Sequence, residues 1–448
     1  MSFELVQLGD ISQNISRRFD FKGREEVVFI NTGDILSGEF LTDELVSVVG
    51  LPGQAKKAIK KGDILYSEIR PGNKRYLIVN DELDNYVVST KFMVIQADHK
   101  KILPEYLYLI LTSKHCEEEF KMIAESRSGT FPQVTFDSIA HYQVELPDLD
   151  VQKQIVDIAW SLSGKERLNT QTNQTLEQMA QALFKSWFVD FDPVFDNALD
   201  SGFFEREFEG EGIPEPLAKR VAIRQALREA AAADTDASAI GRLPPETRAL
   251  FPDSFEEHPE LSWIPKGWEA SRLDSVLELA YGKALKKTDR IDGSISVYGS
   301  GGIGGYHNEA LVSGPGIIVG RKGTVGSLFW EDDDFFPIDT VFYVKPHAGV
   351  PLGYCFELLK TLRLEGMNTD AAVPGLNRNN AYRLLFAKPS TDIKNLFANF
   401  INSLKAQQKS LHDQTKSLAA MRDTLLPKLL SGELTLATTE SVESPISA

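Results

Sequence analysis

Basic side chains recur beside glycine, asparagine, serine and threonine at several points of this chain, a mixture suited to a polyanion. The first half carries Arg17-Arg18, Lys56-Lys57, Lys60-Lys61 and Arg70-Pro71-Gly72-Asn73-Lys74-Arg75-Tyr76, followed by Ser126-Arg127-Ser128-Gly129-Thr130. The second half carries Lys283, Lys286-Lys287, Arg290 and Gly320-Arg321-Lys322-Gly323-Thr324. Arginine and lysine suit phosphates and guanine edges, asparagine suits adenine edges, and glycine permits close backbone approach. Arg17, Arg18, Arg70, Asn73, Lys74, Arg75, Arg127, Thr130, Lys283, Arg321, Lys322 and Thr324 are therefore candidate DNA-contacting residues. Each is equally at home on an ordinary solvated surface, and what favours the binding reading is recurrence in two parts of the chain.

Motifs for making and breaking bonds are missing from the sequence. There is no Walker A pattern and no Gly-x-Ser-x-Gly elbow, and the seven histidines show neither HxxxH nor HExxH spacing. Two cysteines, Cys116 and Cys355, in apolar stretches read as buried free thiols, neither a disulfide framework nor a zinc site. Gly299-Ser300-Gly301-Gly302-Ile303-Gly304 satisfies G-x-G-x-x-G, but Gly305-Tyr306-His307-Asn308 does not open the helix that a dinucleotide site requires. Those glycines read instead as a loop able to lie close to a partner's backbone. No catalytic residue and no metal ligand is assigned, and a non-enzymatic binding chain is expected.

The elements that must position the basic loops come in two copies. At 448 residues, 42% hydrophobic and 25% charged, the chain is long enough for several domains. It has no apolar run long enough to span a bilayer and no secretory signal at its start, so a cytoplasmic chain without membrane partners is expected. Phe3-Glu4-Leu5-Val6-Gln7-Leu8 and Trp268-Glu269-Ala270-Ser271-Arg272-Leu273 open similar regions. Strand-like runs follow in both, such as Val27–Ile30, Asp63–Tyr66 and Phe92–Ile95, then Ser296–Tyr298, Ile317–Val319 and Thr340–Val344. Each copy continues with a helix led by proline, Pro104 to about Phe120 and Pro351 to about Leu364. From Pro147-Asp148 and Pro389-Ser390 onward a constant offset of 242 residues holds without a gap, pairing Val151 with Ile393, Ile155 with Phe397 and Met179 with Met421.

These matched stretches carry heptads. One seam runs Ile155, Leu162, Asn169, Leu176 and Leu183, with Val151, Ile158 and Met179 alongside. The other runs Phe397, Leu404, Leu411, Leu418 and Leu425, with Ile393, Phe400 and Met421 alongside. Sustained heptads predict two long helices of about 60 Å that pair as an antiparallel coiled coil, with Asn169 a polar seam residue able to fix register. The second helix is expected to break near Pro427 and stop at Ser431-Gly432, before a tail rich in Thr, Ser and Glu that is expected to be disordered.

The net charge of −16 opposes a polyanionic partner only until it is divided by segment. Residues 191–265 hold seven basic and sixteen acidic residues, more than half of the excess. This acidic connector, with a helical piece from Glu215 to Ala233, reads as a solvated link, and the other parts remain free to present basic faces. The fold class is α+β: two globular parts of mixed strands and short helices, joined by two long helices in a pseudo-twofold repeat. The boundaries are 1–147, 148–190 (first long helix), 191–265 (connector), 266–388, 389–432 (second long helix) and 433–448 (tail).

Two helix-end stretches, Met179-Ala180-Gln181-Ala182-Leu183-Phe184-Lys185-Ser186-Trp187-Phe188-Val189-Asp190-Phe191-Asp192-Pro193 and Leu425-Leu426-Pro427-Lys428-Leu429-Leu430-Ser431-Gly432-Glu433-Leu434, resemble conserved-region signatures of type I restriction-modification specificity subunits. So do Phe251-Pro252-Asp253-Ser254-Phe255 and Ile264-Pro265-Lys266-Gly267-Trp268. Tyr298-Gly299-Ser300-Gly301-Gly302, Gly320-Arg321-Lys322-Gly323 and Val373-Pro374-Gly375-Leu376-Asn377-Arg378 resemble loops of that family's target-recognition domains, which adds Tyr298, Ser300, Asn377 and Arg378 to the candidates. The resemblance covers nearly the whole chain, less distinctly in the first globular part.

It implies two target-recognition domains, each contacting one half of a split, asymmetric double-stranded DNA target. It further implies long helices that space the domains and dock two methyltransferase subunits, and motor-nuclease restriction subunits that complete the complex. The docking and coiled-coil positions would be Ile155, Leu162, Leu176, Met179, Leu183, Phe397, Leu404, Leu411, Leu418, Met421 and Leu425. S-adenosylmethionine, ATP and Mg²⁺ would belong to those partner subunits, with no cofactor on this chain. The rival readings are a coiled-coil protein-interaction scaffold without DNA readout and an unrecognised nuclease.

Overall fold

The computed structural model describes residues 3–127, 132–233, 242–367 and 375–435. It divides into two compact units, Met1–Leu168 with Gln414–Ala448, and Asn169–Asp413.

In the first unit, Glu4–Gln7 pairs antiparallel with Gln143–Leu146. A four-stranded sheet follows in the order Ser12–Asn14, Phe92–Ala97, Ile64–Ser67, Tyr76–Ile78. Its middle strands are apolar on both faces because both are covered. Ile64, Tyr66, Met93 and Ile95 join a core with Tyr106, Leu107 and Phe120, whereas Leu65, Phe92 and Val94 join one with Val28, Ile30 and Val88. The latter come from a second sheet in which Glu26–Ile30 lies parallel to Tyr86–Ser89. The expected helix from Pro104 is two helices, Pro104–Leu111 and Lys114–Arg127. Ser113 restarts it, its N–H donating to Ile110 O (3.1 Å) and its hydroxyl accepting from Cys116 N–H (3.3 Å).

The second unit repeats this topology. Glu269–Arg272 pairs antiparallel with Leu385–Lys388, and the main sheet runs Leu277–Tyr281, Val341–Pro346, Gly316–Gly320, Leu328–Glu331. Ile295–Gly299 lies parallel to Phe335–Pro337, as Glu26–Ile30 does to its partner. The register agrees as well. Glu4 faces Leu146 and Glu269 faces Lys388, so the 242-residue offset of the helices extends back into the strand before them. The helix expected to run to about Leu364 is Leu352–Thr361, ended by Arg363 in the left-handed region (φ 48°) before a short turn at Leu364–Gly366. The glycine run forms a hairpin, Gly299 pairing with Gly302 across a two-residue turn, so the strand continues where a dinucleotide site would need a helix.

The long helices are Leu149–Phe188 and Thr391–Leu430. In the first unit Val151, Ile155 and Ala159 share a core with Leu429, and Arg422 donates to Glu166 at 2.7 Å. In the second unit Ala180, Phe184 and Trp187 share a core with Ile393, Phe397 and Ile401, and Gln408 donates to Asn173 O at 3.1 Å. Within each unit the start of one helix lies beside the end of the other, which is an antiparallel pairing. Asn169 is buried, as a seam residue should be.

Two features of the helices depart from the sequence reading. Pro427 does not break the second helix. It lies in the last turn, where only the hydrogen bond of its own missing N–H is lost, and Gly432 (φ 69°) closes the end. Met179 and Met421 are 52% and 55% exposed, off the packed face, and Phe400 sits at its margin with one edge on Trp187. A 3.6-residue helix drifts from a strict heptad, and the buried line moves to Ala180, Phe184 and Trp187 on one helix and Ile401 on the other.

The connector is folded rather than solvated. Phe195, Phe203, Phe204, Phe251 and Phe255 are buried in the second unit's core with Trp187 and Phe188. Helix Asp192–Ser201 lies against Glu215–Ala233, and three carboxylates four residues apart meet three arginines four residues apart: Asp192 with Arg220, Asp196 with Arg224, Asp200 with Arg228. Part of the connector's acidity is thus neutralised internally.

A polar latch ties the second unit's helices to its globular part. Glu177 pairs with Lys360 and with Lys405 (3.0 Å), and Lys405 also lies over the rings of Trp330 (5.1 Å) and Phe356 (4.7 Å). Burial alone would raise the Glu177 carboxyl, but the two lysines hold it down at about 2. Glu177→Ala is expected to cost about 2–3 kcal/mol in urea unfolding, since it leaves the largely buried Lys405 ammonium with ring faces alone, while Lys360 keeps Glu357 (3.1 Å). A depressed acid contributes stability that is complete above its unfolded value near 4.5 and is lost as pH falls towards 2. The gap between wild type and variant should therefore narrow over that window; a gap constant with pH would show the effect to be packing alone.

Candidate nucleic-acid interface

Whether a basic side chain has a carboxylate partner separates structural cations from those left for an outside anion. Arg17 belongs to the first kind: its fork holds the buried Asp63 (Nη2 to Oδ1 2.8 Å), and that hydrogen bond raises the guanidinium's pKa. Arg75 has no carboxylate within ion-pair distance among the described residues; its Nη1 donates to the carbonyls of Gly33 (2.9 Å) and Ile35 (2.6 Å), which orients it without neutralising it. Lys57 is buried with Nζ on Phe92 O at 2.6 Å, and burial lowers its pKa. Tyr298 is also structural. It is 6% exposed and donates its hydroxyl to Glu331 (3.0 Å), and burial is the main cause that raises its pKa. The sequence reading did not foresee these intramolecular partners of Arg17 and Tyr298, Asp63 and Glu331.

The second kind clusters on loops. In the first unit Arg18, Arg70, Asn73 and Lys74 are exposed, and none of the three cations has a carboxylate within ion-pair distance among the described residues. Arg70 and Lys74 flank a short turn in left-handed conformation, φ 48° and 54°. Their loop joins Ile64–Ser67 to Tyr76–Ile78 and is stitched to the segment at Pro132 by Arg70 N (3.0 Å). Thr130 and the Arg127 side chain lie outside the described residues.

In the second unit the loop joining Gly316–Gly320 to Leu328–Glu331 carries Arg321, Lys322 and Thr324. Arg321 N and Lys322 N both donate to Thr340 O (3.0 Å), and Leu376 N donates to Arg321 O (2.8 Å). This brings Asn377 and Arg378 alongside. Asn377 does not face outward with its amide oxygen free; that oxygen caps the short helix Arg378–Tyr382 by accepting from Asn379 N (2.9 Å). Lys283 is exposed and set by its N–H on Pro337 O (3.0 Å), while Ser300 is half-buried at the hairpin turn.

Tyr281 is a residue that sequence reasoning missed. It ends strand Leu277–Tyr281, is 50% exposed, and has a guanidinium over its ring from each of Arg321 and Arg378, both 4.9 Å from the centroid. Arg321 also bonds Asp339 O (2.9 Å) and Arg378 reaches Leu279 O (3.4 Å), both neutral carbonyls. Arg321, Lys322, Arg378 and Lys283 have no carboxylate within ion-pair distance among the described residues. The sequence signal was an aromatic residue at a strand end directly before Gly282-Lys283, two positions from the candidate lysine.

Shared backbone contacts align the starts of these loops. Val134 N donates to Glu68 O (2.9 Å) where Leu376 N donates to Arg321 O, and Ile69 bridges Gln133 where Lys322 bridges Gly375. Glu68 and Ile69 therefore stand where the second copy has Arg321 and Lys322. At the 265-residue offset of the opening strands, Arg18 matches Lys283 and Ser16 matches Tyr281. Equivalent scaffolds thus present different side chains.

A family model described as the type I restriction modification DNA specificity domain matches residues 1–178 and 265–380. The chain is 40% identical over 459 residues to the type I restriction enzyme HindI specificity subunit of Haemophilus influenzae, covering 95% of this chain and 98% of that protein. It is 29% identical over 92 residues to the MjaIX specificity subunit of Methanocaldococcus jannaschii, 20% of this chain and 21% of that one. The crystal structure of a type I restriction-modification S subunit from M. genitalium has the same fold, with a TM-score of 0.52 at 15% identity over 97% of both chains. Among the described residues no helix is long and apolar enough to cross a membrane. Duplicated topology, matching family model and near full-length relative agree: the chain belongs to the type I restriction-modification specificity subunits, and is a non-catalytic member of such a system.

Proposed function

We propose that the chain reads a two-part, asymmetric double-stranded DNA target, one half through each globular part, and carries methyltransferase and restriction subunits to it. The observation that carries this reading is the pair of topologically equivalent loops whose exposed cations lack carboxylate partners and whose equivalent positions differ, Glu68 against Arg321 and Ser16 against Tyr281. Same frame with different contacts is what two unlike half-sites require. Docking is supported by the long helices. Met179 and Met421 are equivalent residues, 242 apart, and both expose a thioether on a helix surface. A repeated apolar contact suits two copies of one partner. S-adenosylmethionine, ATP and Mg²⁺ act in those partner subunits, and the assembly works in the cytoplasm where its DNA lies.

The test is to map methylated adenines in DNA from cells carrying the chain and its methyltransferase partner, before and after exchanging residues 1–147 for those of a relative. One half of a split motif should change while the other half and the gap stay fixed. Change in both halves, or in neither, would refute division of labour between the two parts. No methylated motif, with the partner shown to be bound, would favour a protein-interaction scaffold.

A further inference from the structure

We infer that Arg321 and Arg378, held on Tyr281, form a clamp for a backbone phosphate of the bound duplex. The clamp supplies affinity that does not depend on sequence, and it is built into the second globular part alone. The inference rests on the DNA reading proposed above and assigns these residues a role within it.

Two like charges held on one ring repel each other unless an anion joins them. Both guanidiniums lie 4.9 Å from the Tyr281 centroid, within about 10 Å of one another. The ring face attracts each guanidinium but does not neutralise it. Their hydrogen bonds go to the carbonyls of Asp339 and Leu279, and each fork keeps further N–H donors. The other arginine cluster among the described residues of this unit, Arg220, Arg224, Arg228, Arg242 and Arg248, meets carboxylates. Lys283 and Lys322 add positive charge beside the pair.

The anchoring argues for phosphate rather than base edges. Arg321 is tied at its backbone to Thr340 and Leu376, and its side chain to Asp339. Arg378 opens a helix capped by Asn377. Both are fixed in direction, as positioning contacts are, and Tyr281 is the residue that positions them. The first unit has Glu68, Phe136 and Ser16 at the three equivalent places, so it has no such clamp.

The experiment measures binding of the full chain to a random-sequence duplex over a series of salt concentrations, for wild type and the R321Q, R378Q, R321K and Y281A variants. Each glutamine variant should lower the slope of log K against log salt by about 1, and weaken binding about tenfold at low salt. R321K should keep the slope because it keeps the charge. Y281A should weaken binding a few-fold with the slope unchanged, since it removes the ring that both guanidiniums share and leaves both charges in place, Arg321 still over Phe342 and Arg378 over Tyr382. Glutamine variants with the wild-type slope would overturn the clamp, and so would losses confined to one DNA sequence. Wild type without salt-dependent duplex binding would overturn the DNA reading itself, a different outcome from a clamp that fails while wild type binds.

Discussion

Replacing Arg224 with alanine should destabilise the second unit by about 3–5 kcal/mol, the largest single effect expected outside the aromatic core. Asp196 is 1% exposed and Arg224 4%, and the guanidinium Nε donates to Asp196 Oδ1 at 3.0 Å. Removing the arginine leaves a carboxylate inside protein with, among the described residues, only Arg242 in range, at 3.9 Å. For a unit of this size each kcal/mol shifts the thermal midpoint by about 2–4 °C, so a drop of roughly 6–20 °C is expected. The outer rung is the internal control. Asp200 is 37% exposed and meets Arg228, Arg242 and Arg248, so Arg228→Ala should cost under about 1 kcal/mol. Changing Asp196 and Arg224 together to leucine and methionine should recover most of the loss, because the cost lies in the stranded charge and not in the absence of the pair. Equal losses at inner and outer rungs would refute the burial argument.

That ladder also marks a limit of reading the sequence. Asp192, Asp196 and Asp200 recur at four-residue spacing, and Arg220, Arg224 and Arg228 do so 28 residues later, but a net charge over residues 191–265 sums them away. The connector's phenylalanines were visible too; their packing on Trp187 was not, because it is a contact between distant segments. The repeat was legible for the opposite reason. A gapless helix keeps one offset, so Val151 and Ile393 align by inspection, whereas the recognition loops differ in length and align only through shared hydrogen bonds such as those of Val134 and Leu376. The heptad gave the antiparallel partner but misplaced Met179 and Met421, because a 3.6-residue helix drifts from a strict seven-residue repeat.

The candidate site divides along the same line. Residue type made Arg17, Arg321 and Arg378 equal candidates. What separates them is Asp63, 46 residues from Arg17, against the ring of Tyr281, 40 and 97 residues from the other two. Partner identity over such separations is set by strand order, which a motif does not carry. The glycines beside the candidates were more informative than the candidates themselves, since a glycine that tolerates no side chain marks where backbone segments touch.

Gly320 is such a position, and Gly320→Ala should weaken duplex binding about ten- to a hundredfold while leaving the second unit folded. A Cβ there would sit 2.1 Å from Thr324 O and 2.2 Å from Ser327 Oγ. The serine hydroxyl can rotate away, but the Thr324 carbonyl is backbone and can yield only if the loop opens. The loop is closed on itself through Gly320 N to Ser327 O (2.7 Å) and Gly326 N to Gly320 O (2.8 Å), so opening it moves Arg321, Lys322 and Thr324 together. Strand residues Ile317, Ile318 and Val319 stay buried in the core, which confines the damage to the loop. The first unit has Ser67 at the equivalent strand end, with its own hydroxyl bonded to Ile69 O (3.1 Å), so the tight turn belongs to the second copy's way of presenting arginine. Gly301→Ala at the hairpin tip, where a Cβ meets nothing within 4 Å, serves as the neutral comparison. Duplex affinity measured beside amide exchange across residues 320–327 separates the causes: faster exchange with wild-type affinity would show that these side chains do not grip DNA, and affinity lost without faster exchange would show that the loop geometry is not what Gly320 protects.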